Sequence, residues 1–529
     1  MPSVQIYDTT LRDGTQAEGI SFSCEDKLKI ALRLDKMGFH YIEGGWPGSN
    51  PKDVDFFSRI RDHSLNHARI VAFGSTRKAG TPVEKDANVK AILDSGVQVA
   101  TIFGKTWDFH VAKSLGATLE ENLTMIRDTV AYLKKKGLEV HYDAEHFFDG
   151  YKANPAYALE TLRAAEEGGA HVITLCDTNG GSLPWEVTEL VELAAARLTL
   201  PIGIHAHNDS EMAVANTVEA VRAGAALVQG TVNGYGERCG NANLCSVIPV
   251  LTLKCGIATI DPEKLVHLTE MSRFVSEVAN VSPDARQPFV GASAFAHKGG
   301  VHVSALLKDS KTYEHIDPEV VGNRRRVLVS ELSGMSNLLY KYKEMNLQMD
   351  QGGAEGRRIL EEIKQMENQG FQFEGSEGSF ALLLRKAFDG YREPFSLVAC
   401  RLLVEIKENT PAHSEAIIKM KVDDQVVHTA AEGNGPVNAL DNALRKALKG
   451  FYPCIGSMHL NDYKVRVLEE KDGTGAYVRV HIDTGDGRHS WGTVGVSQNI
   501  IEASWQALAD SIAYGLLKGA DAGCKGGEE

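Results

Sequence analysis

An α/β chain led by a (β/α)8 barrel is what this sequence predicts, and three observations predict it. Short β-rich runs recur at roughly 30-residue spacing through the first half, each followed by a helical pattern. Eight such units fit into about 250 residues, the usual size of a (β/α)8 barrel. The polar residues gather at the ends of the runs, as on the C-terminal rim where barrel active sites are built. A doubly wound open sheet is the rival, but it usually carries fewer units.

The runs are, in order, VQIYD near Val4, HYIEGG near Tyr41, RIVAFGS near Val71 and VATIFGK near Val99. LEVHYDAEHF near Val140, HVITLCDTNG near Ile173, PIGIHAHND near Ile202 and ALVQGTVNG near Val228 complete them. Amphipathic stretches such as CEDKLKIALRLDKMG and TLEENLTMIRDTVAYLKKKG lie between, and Gly38 and Gly137 read as helix stops. Asp8, Arg12 and Asp13 follow the first run, Glu43 ends the second, and Glu145 and His146 end the fifth. Asp177, Thr178 and Asn179 end the sixth; His205, His207, Asn208 and Asp209 end the seventh. Asn233, Glu237, Arg238 and Asn241 follow the eighth.

After about residue 260 helices and loops take over, and QPFVGASAFAHKGGVHVSALL carries His297 and His302. The charged, glycine-containing stretch from MDQGGAEGRR through EGSEGS reads as surface or linker. From about Phe395 an α/β pattern begins that repeats itself at an offset of about 60 residues, each copy several strands and then one helix. Such a duplicated module fits a pseudo-symmetric effector or dimerisation domain. The expected division is a catalytic barrel over 1–260, helical linker subdomains over 261–390 and a duplicated α/β regulatory domain over 391–529.

Composition agrees with a multidomain enzyme, since 529 residues exceed a single hydrophobic core. A net charge of −14 argues against a broad nucleic-acid face. No apolar run of about 18 residues predicts a membrane span, and the N-terminus enters a strand pattern without a signal-like segment. The eight cysteines form no C-x-x-C pair and no spaced framework, which suits a reducing compartment. A cytoplasmic enzyme is expected.

The chemistry starts at His205 and His207. Two residues apart on a strand, they point to one face. With Asp13 and Asn241 from other strand ends they form a mixed O/N set that suits Zn2+, Mn2+, Mg2+ or Co2+ and leaves room for substrate. Arg12, next to Asp13, is a permanent cation able to polarise a carbonyl. Glu145 is placed to orient Arg12 or to bind substrate through it, and Thr178 offers a hydroxyl to a substrate carboxylate. Gly234, Gly236, Glu237 and Arg238 belong to a glycine-rich loop whose backbone can approach a ligand closely. Gly433 and Gly435 precede a helix that begins near Pro436, where an anion or small effector, or a plain turn, is equally in keeping. Phe73 and Phe103, near the ends of the third and fourth runs, either narrow a pocket or simply pack. His302 and Tyr313 carry no signal by spacing alone.

DTTLRDGTQ, HAHND and GYGERCGNANL resemble the signature segments of the isopropylmalate synthase-like acyltransferases, and the resemblance covers nearly the whole chain. It implies a metal-dependent (β/α)8 barrel that condenses acetyl-CoA with a 2-oxo acid. Asp13, His205, His207 and Asn241 then match the metal ligands, and Arg12 matches the arginine that polarises the 2-oxo acid. Glu145 and Thr178 match residues that hold that arginine and the substrate. Gly234, Gly236, Glu237 and Arg238 fall where acetyl-CoA is expected. His302 and Tyr313 match linker residues that assist acetyl-CoA deprotonation or product hydrolysis, delivered from the second subunit of a homodimer. The C-terminal module matches the part of the family that binds an amino-acid inhibitor.

The chain also departs from the family. LRDGEQ becomes LRDGTQ through Thr15, and H-x-D-G becomes His302-Val303-Ser304-Ala305, which removes an acid from the base relay. The DGTQAEG segment and the C-terminal module look most like the branch that uses pyruvate, with isoleucine as the expected inhibitor. The alternatives are 2-oxoisovalerate or 2-oxoglutarate as the acid, a related metal aldolase or lyase, and a barrel kept only as a metabolite sensor.

Overall fold

Alternating inward and outward side chains let eight short strands bury one face in a barrel and the other under helices. The computed structural model describes residues 3–329, 335–345, 354–387, 391–409, 411–468, 473, 475–487 and 489–520. In it β1 (Gln5–Asp8), β2 (Tyr41–Gly45), β3 (Arg69–Ser75) and β4 (Val99–Lys105) pair in sequence order. β5 (Glu139–Glu145), β6 (Val172–Asp177), β7 (Ile202–Ala206) and β8 (Leu227–Gly230) follow, and β8 returns to pair in parallel with β1. Each expected run is one of these strands.

Tyr7, Tyr41, Val71, Val99, Val172 and Leu227 form one buried inward layer. Beyond it the barrel interior turns polar, with Glu43, Thr101, Asp143, Thr174, His205 and Gln229 all buried. Outward residues such as Ile6, Ile42, Ala100, Ile173 and Ile204 join the core beneath the helices. The helices begin and end where side-chain chemistry dictates. Ser23 and Asp26 close a capping box on Cys24–Met37, which stops at left-handed Gly38. Thr118 caps Leu119–Lys135.

Two compact units divide the chain. The first is Met1–Phe295 with Ile316–Arg325; the second is Ala296–His315 with Arg326–Glu529. In the second, β9 (Ala296–His297) and β10 (Arg326–Val327) pair in parallel. Within the expected helical linker region, the stretch read from sequence as surface or linker holds two helices, Ala354–Asn368 and Glu377–Lys386. Ile359 and Ile363, one turn apart, pack with Phe373, Phe380 and Leu384 into a small core. Charges crowd the remaining positions and hide that stripe. Met349–Gly353, at the start of the stretch, lie outside the described residues.

The duplication is borne out. β11 (Phe395–Glu405), β12 (His413–Val422) and β13 (Gln425–Gly433) form an antiparallel sheet followed by the helix Pro436–Leu448. β14 (His459–Val467), β15 (Val478–Gly485) and β16 (Ser490–Ser497) repeat it, followed by Ile500–Ala520. Both copies pack into one core, with Ile418, Leu440 and Leu444 from the first and Ile482, Trp491 and Leu508 from the second. Among the described residues no helix is long and apolar enough to cross a membrane.

Candidate metal centre and active site

The turn after β1 delivers Arg12 and Asp13. Asp8 accepts from the Thr10 amide at 3.0 Å and from its hydroxyl at 2.8 Å. The amides of Arg12, Asp13 and Gly14 then converge on the Thr9 carbonyl at 3.1, 2.9 and 3.0 Å. Thr15, the departure from the family pattern, donates to the Arg12 carbonyl at 2.6 Å. Burial pushes the Asp8 carboxyl up to about 7. Asp8 therefore shapes the corner and takes no part in the ligand cluster.

His205 lies at the end of β7 and His207 just past it. The loop after β8 folds back beside them, where Ala242 donates to the Ala206 carbonyl at 2.9 Å and Asn241 bridges to His207. The fold-back depends on glycine at two places. Gly240 is left-handed (φ +89°), and a Cβ there would stand 2.0 Å from the Gly234 carbonyl oxygen. A Cβ on Gly236 would stand 2.2 Å from Asn241 Oδ1.

These elements bring the four expected ligands together. Asp13, His205 and His207 each offer a ligand atom, all within 4.8 Å of one another and all buried. His205 Nε2 is 3.2 Å from His207 Nε2 and 3.3 Å from Asp13 Oδ2. Asn241 Nδ2 donates to Asp13 Oδ2 at 2.7 Å. That leaves Asn241 Oδ1 buried without a hydrogen-bond partner among the described residues, an acceptor in want of a cation. The set fits a divalent ion.

Protonation fits as well. Burial, then the neighbouring His205, pushes His207 down to about 3; burial also lowers His205. Burial alone would raise Asp13, but Arg12 and the two imidazoles overcome it and bring Asp13 down to about 2. Neutral imidazoles and an ionised carboxylate are the forms that bind metal.

Arg12 lies against this cluster. Its Nη1 is 3.6 Å from Asp13 Oδ1, and its guanidinium sits 3.8 Å over the Phe73 ring. Phe73 stacks on Phe103 at 5.3 Å, and Trp46 meets both edge-on. The carboxylate that anchors Arg12 is Glu43, 2.5 Å from Nε and fully buried. Tyr7 donates to the other oxygen of Glu43 at 2.6 Å. Burial opposes the Arg12 charge, but Glu43 and Asp13 outweigh it and keep the guanidinium protonated.

Glu145 makes its ion pair with Lys105, not with Arg12. Thr178 Oγ1 accepts from the His146 amide at 2.9 Å. Arg238 grips Asp209 through two nitrogens at 2.7 and 3.0 Å and donates to the Thr178 carbonyl at 2.6 Å, beside exposed Glu237. His302 and Tyr313 belong to the second unit, their rings stacked at 4.2 Å, with Tyr313 43% exposed. Sequence reasoning gave no role to Glu43, Gln229 or Asp143. Their one signal was a polar residue at inward parity within an apolar strand.

Comparison with known proteins agrees with this geometry. Residues 3–275 match the HMGL-like family, 289–370 the homocitrate synthase post-HMGL domain-like family, and 374–516 the LeuA allosteric (dimerisation) domain. The (R)-citramalate synthase of Geobacter sulfurreducens is 57% identical over 519 residues, 98% of each chain. That of Aquifex aeolicus is 52% identical over 98% of this chain and 99% of its own. That of Synechocystis is 53% identical over 97% and 96%. With likeness running end to end through barrel, linker and duplicated module, the chain belongs to the (R)-citramalate synthase family of acyltransferases.

Proposed function

We propose that this chain condenses acetyl-CoA with pyruvate and water to give (R)-citramalate and CoA. The observation that carries the reading is the cluster Asp13, His205, His207 and Asn241 with Arg12 beside it, in a chain alike to named citramalate synthases throughout. Those four residues would hold a divalent ion (Zn2+, Mn2+, Mg2+ or Co2+). When bound it supplies Lewis acidity toward the carboxylate and keto oxygens of the 2-oxo acid.

Arg12, kept charged and aimed by Glu43, donates to the keto oxygen and stabilises the alkoxide that forms there. Thr178 holds the substrate carboxylate, and Glu145 helps orient the bound acid. Gly234, Gly236, Glu237 and Arg238 line the approach of acetyl-CoA. His302 and Tyr313, supplied by the second copy in a homodimer, take the methyl proton of acetyl-CoA. The resulting enolate attacks the keto carbon, and water then cleaves the citramalyl thioester to release CoA. The stack of Phe73 on Phe103 beside Arg12 supports a small substrate side chain, hence pyruvate over 2-oxoisovalerate or 2-oxoglutarate.

The product would feed isoleucine synthesis through 2-oxobutyrate in the cytoplasm. Isoleucine is the proposed feedback inhibitor, acting on the duplicated module. The test is thiol release from acetyl-CoA by metal-reconstituted enzyme offered pyruvate, 2-oxobutyrate, 2-oxoisovalerate and 2-oxoglutarate in parallel. Preference for pyruvate with citramalate as product is expected. Preference for a larger acid would change the substrate, and no thiol release with any acid would favour a lyase or a sensor.

A further inference from the structure

Two imidazoles meet the same cluster, yet their far sides differ. His207 Nδ1 is buried with no hydrogen-bond partner among the described residues. His205 Nδ1 lies 2.9 Å from Gln229 Oε1. Strand register sets that contact, because His205 and Gln229 are directly paired across β7 and β8.

Gln229 is fixed in turn. Its Nε2 donates to Asp143 Oδ1 at 2.9 Å and reaches Thr174 Oγ1 at 3.4 Å. Asp143 is on β5 and Thr174 on β6, and every member of the chain is buried. An amide has one accepting end and one donating end. Turned round against an ionised Asp143 carboxylate, it would set oxygen against oxygen and lose that donor contact; burial pushes this carboxyl up to about 7, so the orientation is fixed above that pH. Its oxygen therefore faces His205, and His205 Nδ1 must carry the proton that meets it. A neutral imidazole with Nδ1–H has its lone pair on Nε2, the atom that faces Asp13 and His207.

We propose that the buried chain Asp143–Gln229–His205 is the positioning device of the metal centre, locking His205 in the tautomer that presents Nε2 to the ion. The inference rests on the metal-centre reading above and deepens it. Asp143 and Gln229 act through His205, as hydrogen-bond partners behind a ligating imidazole do.

The direction of the chain gives a specific test. Replacing Asp143→Asn and Gln229→Glu together reverses the polarity of one link and keeps the hydrogen bonds that join residue 143 to 229 and 229 to His205. The new amide at 143 donates to the new carboxylate at 229, which still accepts from His205. The number of carboxylates is unchanged. Mn2+ is titrated into full-length, chelator-stripped protein, and the free ion is read by electron paramagnetic resonance. Gln229→Leu should raise the Kd about 10–100-fold. The paired swap should recover most of the loss that Gln229→Glu or Asp143→Asn shows alone.

If Gln229→Leu fails to fold, the paired swap against its two single variants decides. A wild-type Kd in Gln229→Leu, or a paired swap no better than its weaker single, overturns the inference. His207→Ala separates the two failures. If His207→Ala loses Mn2+ and Gln229→Leu does not, only the tautomer lock falls. If His207→Ala binds Mn2+ as the wild type does, the metal-centre reading falls and takes this inference with it.

Discussion

The barrel rim and the linker both contribute chemistry to the proposed reaction, but they are built in opposite ways. Asp13, His205, His207 and Asn241 are buried, drawn together from the turn after β1, the end of β7 and the loop after β8, with Asn241 hydrogen-bonded to Asp13. His302 is exposed on a short helix, and its described ring contact is the stack with half-open Tyr313. Groups that must hold a fixed charge pattern are locked in place before substrate arrives. The groups proposed to move the thioester proton are instead exposed.

The comparison can be broken most easily at the metal ligands. His207→Ala should lower turnover by about 10³-fold or more, since charge stabilisation at the keto oxygen is lost with the ion. Thiol release at saturating Mn2+ checks it, and near-normal turnover would remove the cluster from the chemistry. Arg12→Ala should cost about 10²–10³-fold in kcat, the usual loss for one donor at a developing oxyanion. Its Mn2+ affinity should stay near wild type. His302→Ala should slow turnover about 10²-fold, a general-base effect. Its unfolding free energy should stay within about 0.5 kcal/mol, because the residue is exposed. A large loss of stability there would erase the contrast between rim and linker.

The smallest effect concerns the corner that delivers Arg12 and Asp13. Burial raises the Asp8 carboxyl to about 7, above the unfolded value of 3.8, so the folded state holds the extra proton between them. The associated stability is complete below the unfolded value and is lost as pH rises through about 7. Asp8→Asn should therefore flatten the fall in melting temperature between pH 5 and pH 8. An unchanged slope in thermal melts would assign the pH response to other groups.

The barrel was legible because its evidence is local. Each strand is an apolar run closed by a turn, and the H-x-H pair announces itself by parity. The second-layer contacts were not legible. Glu43 lies in the middle of β2, and nothing in the sequence says that it meets Arg12 in the turn after β1. Gln229 looks like an ordinary polar residue until the register of β8 on β7 sets it opposite His205. Glu145 shows the same limit from the other side: its strand-end position was plain, while its pairing with Lys105 depends on which strand is its neighbour. The linker was expected to be helical, but the bounds of Ala354–Asn368 were not legible, because charges outnumber the apolar residues that mark its inner face.

The shared core of the duplicated module has a consequence for how the C-terminal region can be divided. The helices Pro436–Leu448 and Ile500–Ala520 line a single interior, so neither half owns enough apolar surface to be closed alone. A chain severed between the copies would expose Leu440 and Leu444 on one piece and Trp491 and Leu508 on the other. The halves should melt in one transition and survive cleavage only as a reassembled pair. A change in packing in either copy is thus felt in the interior of both.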